Sequence, residues 1–238
     1  MTLPFRAIIF DFDGVIADTE PFHFKAFRKV LAEEGMGLTE KDYYGKYLGV
    51  DDLGCFKGVL ASHGRRPGTE KIASLMARKS CIYTDNIMKK LSFIPGVIAF
   101  VKSAAKRYPL AIASCALRQE ILMILMKGGI DKAFQVIVSA EDISRGKPDP
   151  EGFLKALKNL NRTGNIRRSG KPIKPHECLV IEDSPFGVEG AGRAGMQCLA
   201  LATSYTAKDL TDACVVRRNF VGLTPSSLEK LFQSCKAP

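Results

Sequence analysis

No tryptophan occurs in the 238 residues, and aromatic side chains make up only 8% of them. No Cys-x-x-Cys occurs either. The seven cysteines, Cys55, Cys81, Cys115, Cys178, Cys198, Cys214 and Cys235, are scattered and odd in number, which argues against a disulfide framework or a zinc ribbon. Several sit in apolar runs and read as buried thiols of a reducing compartment. No apolar run reaches the length that spans a bilayer, so no membrane association is expected. Met1-Thr2-Leu3-Pro4-Phe5-Arg6 carries no charged, long apolar or cleavable leader pattern, and the expected location is cytoplasmic. Acidic residues are outnumbered, 25 Asp+Glu against 35 Lys+Arg, and the resulting +10 favours an anionic partner. Phosphorylated metabolites, nucleic acid and an anionic lipid surface all meet that description. At 46% hydrophobic and 25% charged residues the composition is that of an ordinary globular protein. Its length suits one large domain, or a main domain with an insertion.

What is present begins with Ala7-Ile8-Ile9-Phe10-Asp11-Phe12-Asp13-Gly14-Val15. Four apolar residues rich in branched side chains predict a short buried strand, and two carboxylates follow it with one residue between them. Glu20 to Leu31 has apolar positions at helical spacing, with Pro21 suited to a first turn and Thr19 placed to cap it. Polar-interrupted helical segments continue to about Leu91, with turns at Gly35-Met36-Gly37, Gly45, Gly49 and Gly64 to Gly68. No strand-like run stands out between residues 16 and 92. From Pro95 strands and helices alternate. Strands are predicted over Leu110 to Ser114, Phe134 to Val138, Cys178 to Ile181, Gln197 to Leu201 and, more weakly, Cys214 to Val216. Helices are predicted over Val97 to Arg107, Leu117 to Lys127, Glu151 to Leu160, Pro185 to Ala194 and Pro225 to Phe232. The pattern is α/β, a doubly wound parallel sheet. Residues 1–16 and 93–238 are expected to form a Rossmann-like catalytic core, and residues 17–92 an inserted helical domain.

One stretch breaks the alternation. Asn161 to Pro175 is polar, basic and rich in Gly and Pro, which predicts an exposed loop. Between residues 145 and 175 there are nine Lys/Arg and two Asp/Glu, so much of the net charge sits there. Little aromatic interleaving is available to stack bases, which argues against nucleic acid as its partner.

Four sets of polar residues fall at or after strand ends: Asp11 with Asp13, Ser114 with the adjoining Cys115, Lys147 in Gly146-Lys147-Pro148-Asp149-Pro150, and Glu182-Asp183-Ser184. In a parallel sheet these ends face one side, where open α/β sheets bind ligands. Asp11, Glu182 and Asp183 would repel one another unless a hard divalent cation sat among them, and oxygen ligands suit Mg²⁺. A carboxylate so held can attack phosphorus to give an aspartyl-phosphate. Lys147, the Ser114 hydroxyl and nearby backbone N–H groups can hold the phosphoryl oxygens. Asp13 is placed to protonate the leaving oxygen and then to deprotonate water.

With these motifs in order, the chain resembles the haloacid dehalogenase-like hydrolases, in the branch that holds β-phosphoglucomutase and phosphoglycolate phosphatase-like enzymes. The resemblance rests on Asp11 to Thr19, Ser114, Gly146 to Pro150, Ile181 to Val188 and Gly190 to Met196, and spans about residues 5 to 203. It implies a mobile cap over a Rossmann-like core. It further implies that Asp11 is nucleophile and metal ligand, and that Asp13 is general acid/base and a ligand through its backbone carbonyl. Asp183 would bind Mg²⁺ directly, Glu182 directly or through water, and Ser114 and Lys147 the transferring phosphoryl group. His23 stands where the β-phosphoglucomutases also have a histidine.

Departures from that pattern favour simple hydrolysis. The mutases carry a cap Lys-Gly with an Arg shortly after it, where this chain has Leu48 and Asp52. Their polar run after the serine is replaced by Cys115-Ala116-Leu117-Arg118. Lys46, Lys57 and Arg118 remain as partial substitutes for the missing second-phosphate grip. The phosphoglycolate phosphatases' Thr/Ser-Asn-Lys run is absent too. The expected function is Mg²⁺-dependent hydrolysis of a small phosphomonoester, a sugar phosphate by preference, by a monomer or small homo-oligomer. A phosphosugar mutase, a nucleic-acid-binding protein and a non-catalytic regulator are the competing readings.

Overall fold

The computed structural model describes residues 4–48, 50–164, 166 and 171–233, apart from the side chain of Met88. Arg167 and Arg168 of the basic stretch, and Gly49, lie outside the described residues. The chain divides into two compact units, residues 1–18 with 93–238, and Thr19–Ser92.

The larger unit is built on six parallel strands: β1 (Ala7–Phe10), β2 (Leu110–Ala113), β3 (Val136–Val138), β4 (Cys178–Glu182), β5 (Gln197–Leu201) and β6 (Val215–Arg217). Their order is β3-β2-β1-β4-β5-β6. The sheet is thus an α/β doubly wound one, with β1 paired to β2 in the register Ile9↔Ala111 and to β4 in the register Ile9↔Val180. The predicted strands recur within two residues of these limits. Phe134 and Gln135 precede β3 rather than belonging to it, and Gln135 reaches the sheet through its N–H to the Leu110 carbonyl.

β1 is apolar at every position because both faces are covered. Side chains alternate between faces along a strand. Ala7 and Ile9 therefore share one core with Phe153, Ala156, Leu157 and Leu160 of α6 (Glu151–Leu160) and Val188 and Ala191 of α7 (Pro185–Arg193). Phe10 turns the other way, its ring 5.5 Å from Phe134 and 6.2 Å from Phe100 of α4 (Val97–Ala104). Burying a side chain of this size contributes roughly 1.5–3 kcal/mol. α5 (Arg118–Lys127) and α8 (Pro225–Gln233) complete the layers. The predicted 97–107 helix stops at Ala104, and residues 105–107 continue as turns.

The basic stretch expected to be an exposed loop is described at residues 161–164, 166 and 171–175, and there it is tied across by Asn161. Asn161 donates to the Ile173 carbonyl and accepts from the Ile173 N–H at 2.9 and 2.8 Å, and Ile173 is buried in the α6 core. Among the described residues no cysteine is in a disulfide, and no helix is long and apolar enough to cross a membrane.

The smaller unit is helical: α1 (Glu20–Glu33), α2 (Asp52–Ser62) and α3 (Thr69–Lys90). Phe24, Phe27, Val30, Leu31, Phe56, Val59 and Leu75 form its core. Asp51 caps α2, accepting from the Gly54 N–H at 2.7 Å. Thr19 does stand at the N-cap of α1, yet its side chain makes no capping bond. Its backbone is helical there rather than extended, which turns the hydroxyl away from the first N–H groups.

Candidate active site

The order of the sheet reverses between β1 and β4, and ligands of doubly wound sheets bind outside the strand ends at such a switch point. Asp11 and Glu182-Asp183 leave the two strands there, tied by the Asp11 N–H donating to the Ile181 carbonyl at 2.8 Å. All three acids are buried, and one carboxylate oxygen from each lies within 4.8 Å of the others. Lys147 reaches in from the loop after β3. Its Nζ is 2.6 Å from Asp11 Oδ1, also donates to Glu182 Oε1, and stands 5.5 Å from the centre of the Phe153 ring.

Glu182 is held from every side. Its Oε2 accepts from the Asp183 N–H at 2.8 Å, the Ser184 N–H at 3.0 Å and the Ser184 hydroxyl at 3.1 Å. Ser184 in turn caps α7, accepting from the Gly187 N–H at 3.0 Å. Gly187 has to be glycine for the carboxylate to fit: a Cβ there would lie 1.8 Å from Glu182 Cδ.

A second close approach sets Asp183. Phe12 to Ala17 forms a tight turn, with the Ile16 N–H donating to Phe12 O at 2.8 Å and the Gly14 N–H to Ala17 O at 2.9 Å. Gly14 has φ +69°, and a Cβ on it would stand 1.9 Å from Asp183 Oδ2. Thr203, just past β5, donates to the Gly14 carbonyl at 2.7 Å and lies 3.4 Å from Asp183 Oδ2. Thr203 was not among the residues expected from sequence, although it obeys the strand-end rule that found the others.

Ser114 follows β2, and its N–H donates to the Val138 carbonyl at 3.0 Å. Its Oγ accepts from the Ala116 N–H at 3.0 Å, which leaves the hydroxyl proton available to a ligand. Ser114, Cys115, Lys147, Arg145, Asp149 and Phe153 line one small cleft. Arg145 is a further addition, an exposed side chain paired with Asp149 at 3.2 Å and with Glu151 at 3.7 Å.

The charge balance of these groups favours a cation. Burial pushes the Asp11 carboxyl up to about 8, with Lys147 opposing that rise and Glu182 and Asp13 adding to it. Burial also works against the Lys147 ammonium, but Asp11 and Glu182 outweigh it and hold Lys147 well above its ordinary value. In their ionised forms three buried carboxylates face one ammonium, which leaves two negative charges unbalanced. A hard divalent cation brings that balance to zero, and carboxylate oxygens are the ligands Mg²⁺ takes. The donor set therefore fits the ion.

The remaining expected residues have partners of their own. In the smaller unit His23 is buried, stacked on Tyr83 at 4.2 Å, with Nδ1 2.6 Å from Lys79 Nζ. Lys79 is fully buried and also pairs with Asp52 at 2.8 Å. Lys46 is exposed and pairs with Asp42 at 2.8 Å. In the larger unit Arg118 is bound to Asp142 and to the Ile137 carbonyl, and so serves the loop after β3.

Residues 8–201 match the family described as haloacid dehalogenase-like hydrolase. Over 192 residues, 81% of this chain and 82% of the relative, the sequence is 31% identical to a phosphorylated carbohydrates phosphatase of Thermotoga maritima. It is 26% identical over 204 residues to a fructose-1-phosphate phosphatase of Escherichia coli, covering 82% of this chain and 95% of that one. The fold matches a β-phosphoglucomutase from Clostridium difficile with a TM-score of 0.83, at 22% identity over 96% of this chain and 97% of that one.

Proposed function

We propose that this chain, which belongs to the haloacid dehalogenase-like hydrolases, is a Mg²⁺-dependent phosphatase of small phosphomonoesters, sugar phosphates foremost. The observation that carries this reading is the buried Asp11 carboxylate, paired with Lys147 and close to the Glu182 and Asp183 carboxylates. The phosphatase names of the relatives point the same way.

Asp11, Asp183 and the Asp13 backbone carbonyl would hold the ion, with Glu182 beside them. When bound, Mg²⁺ offsets the repulsion between carboxylate and phosphate and polarises the phosphoryl group. Asp11 attacks phosphorus, the bond from phosphorus to the ester oxygen breaks, and Asp13 gives that oxygen its proton. Asp13 then takes a proton from the water that attacks the aspartyl-phosphate, which frees Asp11 and inorganic phosphate. Lys147 gives its ammonium hydrogens to a phosphoryl oxygen, and the Ser114 hydroxyl and the backbone at Cys115 hold another. In this reading the unit Thr19–Ser92 is the cap that selects the substrate.

Hydrolysis is preferred to phosphoryl transfer between sugar hydroxyls. A mutase has to retain a bisphosphate intermediate, and at the cap position expected to carry a cation this chain has Asp52, already paired with Lys79. A phosphate-release assay over a panel of phosphorylated metabolites, with and without Mg²⁺, tests the proposal. Phosphomonoester hydrolysis is among the slowest uncatalysed reactions, with enzymatic accelerations up to ~10²¹. Asp11→Asn is therefore expected to remove essentially all Mg²⁺-dependent release. Wild-type activity in that variant refutes the nucleophile, and an isomerised sugar phosphate from a hexose 1-phosphate refutes hydrolysis.

A further inference from the structure

The geometry points to Thr203 as a positioning residue that sets Mg²⁺ affinity by fixing the Gly14 carbonyl, and with it the Asp13 carbonyl one peptide back and the Asp183 carboxylate packed on Gly14; this rests on the phosphatase reading above.

Thr203 lies two residues beyond β5, on a segment that the sheet holds rigidly. The Ala202 N–H donates to the Arg217 carbonyl at 2.7 Å, so the pairing of β5 with β6 continues up to the residue before Thr203. From that base the Thr203 hydroxyl donates to the Gly14 carbonyl at 2.7 Å. A hydroxyl has one hydrogen to give, and the shorter contact takes it. The oxygen also stands 3.4 Å from Asp183 Oδ2, which places it in packing contact with the carboxylate.

Three segments thus meet at one hydroxyl: the turn after Asp13, the end of β4 and the end of β5. Space at that corner is fully used. The position of a Gly14 Cβ is 1.9 Å from Asp183 Oδ2 and 2.8 Å from Ser204 Oγ. Asp183 therefore rests directly on the Gly14 backbone, and any drift of the Gly14 peptide moves the carboxylate seated against it. The Asp13 carbonyl is one peptide away, so the same drift reaches both.

Groups that orient metal ligands from behind typically change metal affinity 10–100-fold when removed. Loss of the hydroxyl in Thr203→Val is expected to weaken Mg²⁺ binding by about that factor. Thr203→Ser, which keeps the hydroxyl, should stay within about threefold of wild type. Binding is read from calorimetric titration of the whole protein with MgCl₂ alone, and from the Mg²⁺-induced shift of the melting temperature. Phosphate release supplies a further signature: with Thr203→Val the Mg²⁺ concentration for half-maximal rate rises, while kcat at saturating Mg²⁺ stays near wild type.

The arms separate the possible failures. Absence of Mg²⁺ binding by the wild-type chain overturns the phosphatase reading. Wild-type Mg²⁺ affinity in Thr203→Val, with wild-type binding intact, overturns the role of Thr203 alone. Should Thr203→Val not fold, the serine variant decides: near-wild-type affinity supports the hydroxyl as the active feature, and a tenfold loss overturns it.

Discussion

Gly187→Ala sets two opposing effects against each other at one helical position. Gly187 lies in the first turn of α7 and does not have a positive φ, so alanine meets no backbone penalty there. On helix propensity alone the change should stabilise the protein by about 1 kcal/mol. The added Cβ, however, would sit 1.8 Å from Glu182 Cδ. Glu182 is fully buried, and its carboxylate is engaged by Lys147, two backbone N–H groups and the Ser184 hydroxyl. Hydrogen bonds to a charged group contribute about 1.5–3 kcal/mol each. Moving the carboxylate far enough to clear the methyl breaks at least two of them, a loss of roughly 3–6 kcal/mol. The loss exceeds the propensity gain, and a net destabilisation of about 2 kcal/mol or more is expected. Melting temperature should fall by at least about 4 °C for a chain of this size. Lys147 loses one of its two carboxylates at the same time, so kcat for phosphate release should drop on the order of 10²-fold. Differential scanning calorimetry and a phosphate-release assay on one preparation read both effects. An unchanged or raised melting temperature with wild-type kcat would refute the account of Glu182 as a rigid support.

Two further outcomes follow from buried charge. In EDTA, the Asp11 carboxyl is raised by burial to about 8. A folded-state value above the unfolded one means a contribution to stability present below about pH 4 and lost as pH rises through about 8. Asp11→Asn removes that loss, so without metal the variant should melt above wild type at pH 8 to 9. The gap should close near pH 4, and a gap independent of pH contradicts the assignment. In the smaller unit, Lys79→Ala strands Asp52 and opens a cavity between Phe27 and Tyr83, whose rings flank the ammonium at 4.9 Å each. Breaking a fully buried pair by removing one partner costs about 3–5 kcal/mol, and the 17% exposure of Asp52 places this pair toward the lower end. The double change Lys79→Met with Asp52→Leu should recover most of that in urea unfolding, because no charge is left unpaired. Equal losses for single and double variants would show that packing, not charge, is at issue.

What was legible in the sequence is what the chain writes locally. A strand buried on both faces is apolar at every position, and Asp11, Ser114 and Glu182-Asp183 stand at strand ends where the run of apolar residues stops. The parallel sheet then converts adjacency along the chain into convergence in space. Lys147 was legible for the same reason, one loop beyond β3. What the sequence did not disclose are couplings between distant positions. Asp52 reads in sequence as the absence of a basic residue; only the fold shows it paired with Lys79, twenty-seven positions on. Arg118 reads as a spare cation, and the fold commits it to Asp142. Thr19 has the right residue type for a cap and the wrong backbone angles, which composition cannot foretell.

Thr203 belongs to a different class. The rule that polar residues closing an apolar strand face the ligand applies to Leu199-Ala200-Leu201-Ala202-Thr203 as well as to Leu110-Ala111-Ile112-Ala113-Ser114. Both runs end in a hydroxyl. A hydroxyl carries no charge to be neutralised, so it raises no demand for a cation, and only position can reveal its part. The acids announce themselves by the cost of burying them. The groups that aim them do not, and here they come from the next strand of the sheet, whose β5–β6 pairing fixes the Thr203 oxygen against the Gly14 carbonyl.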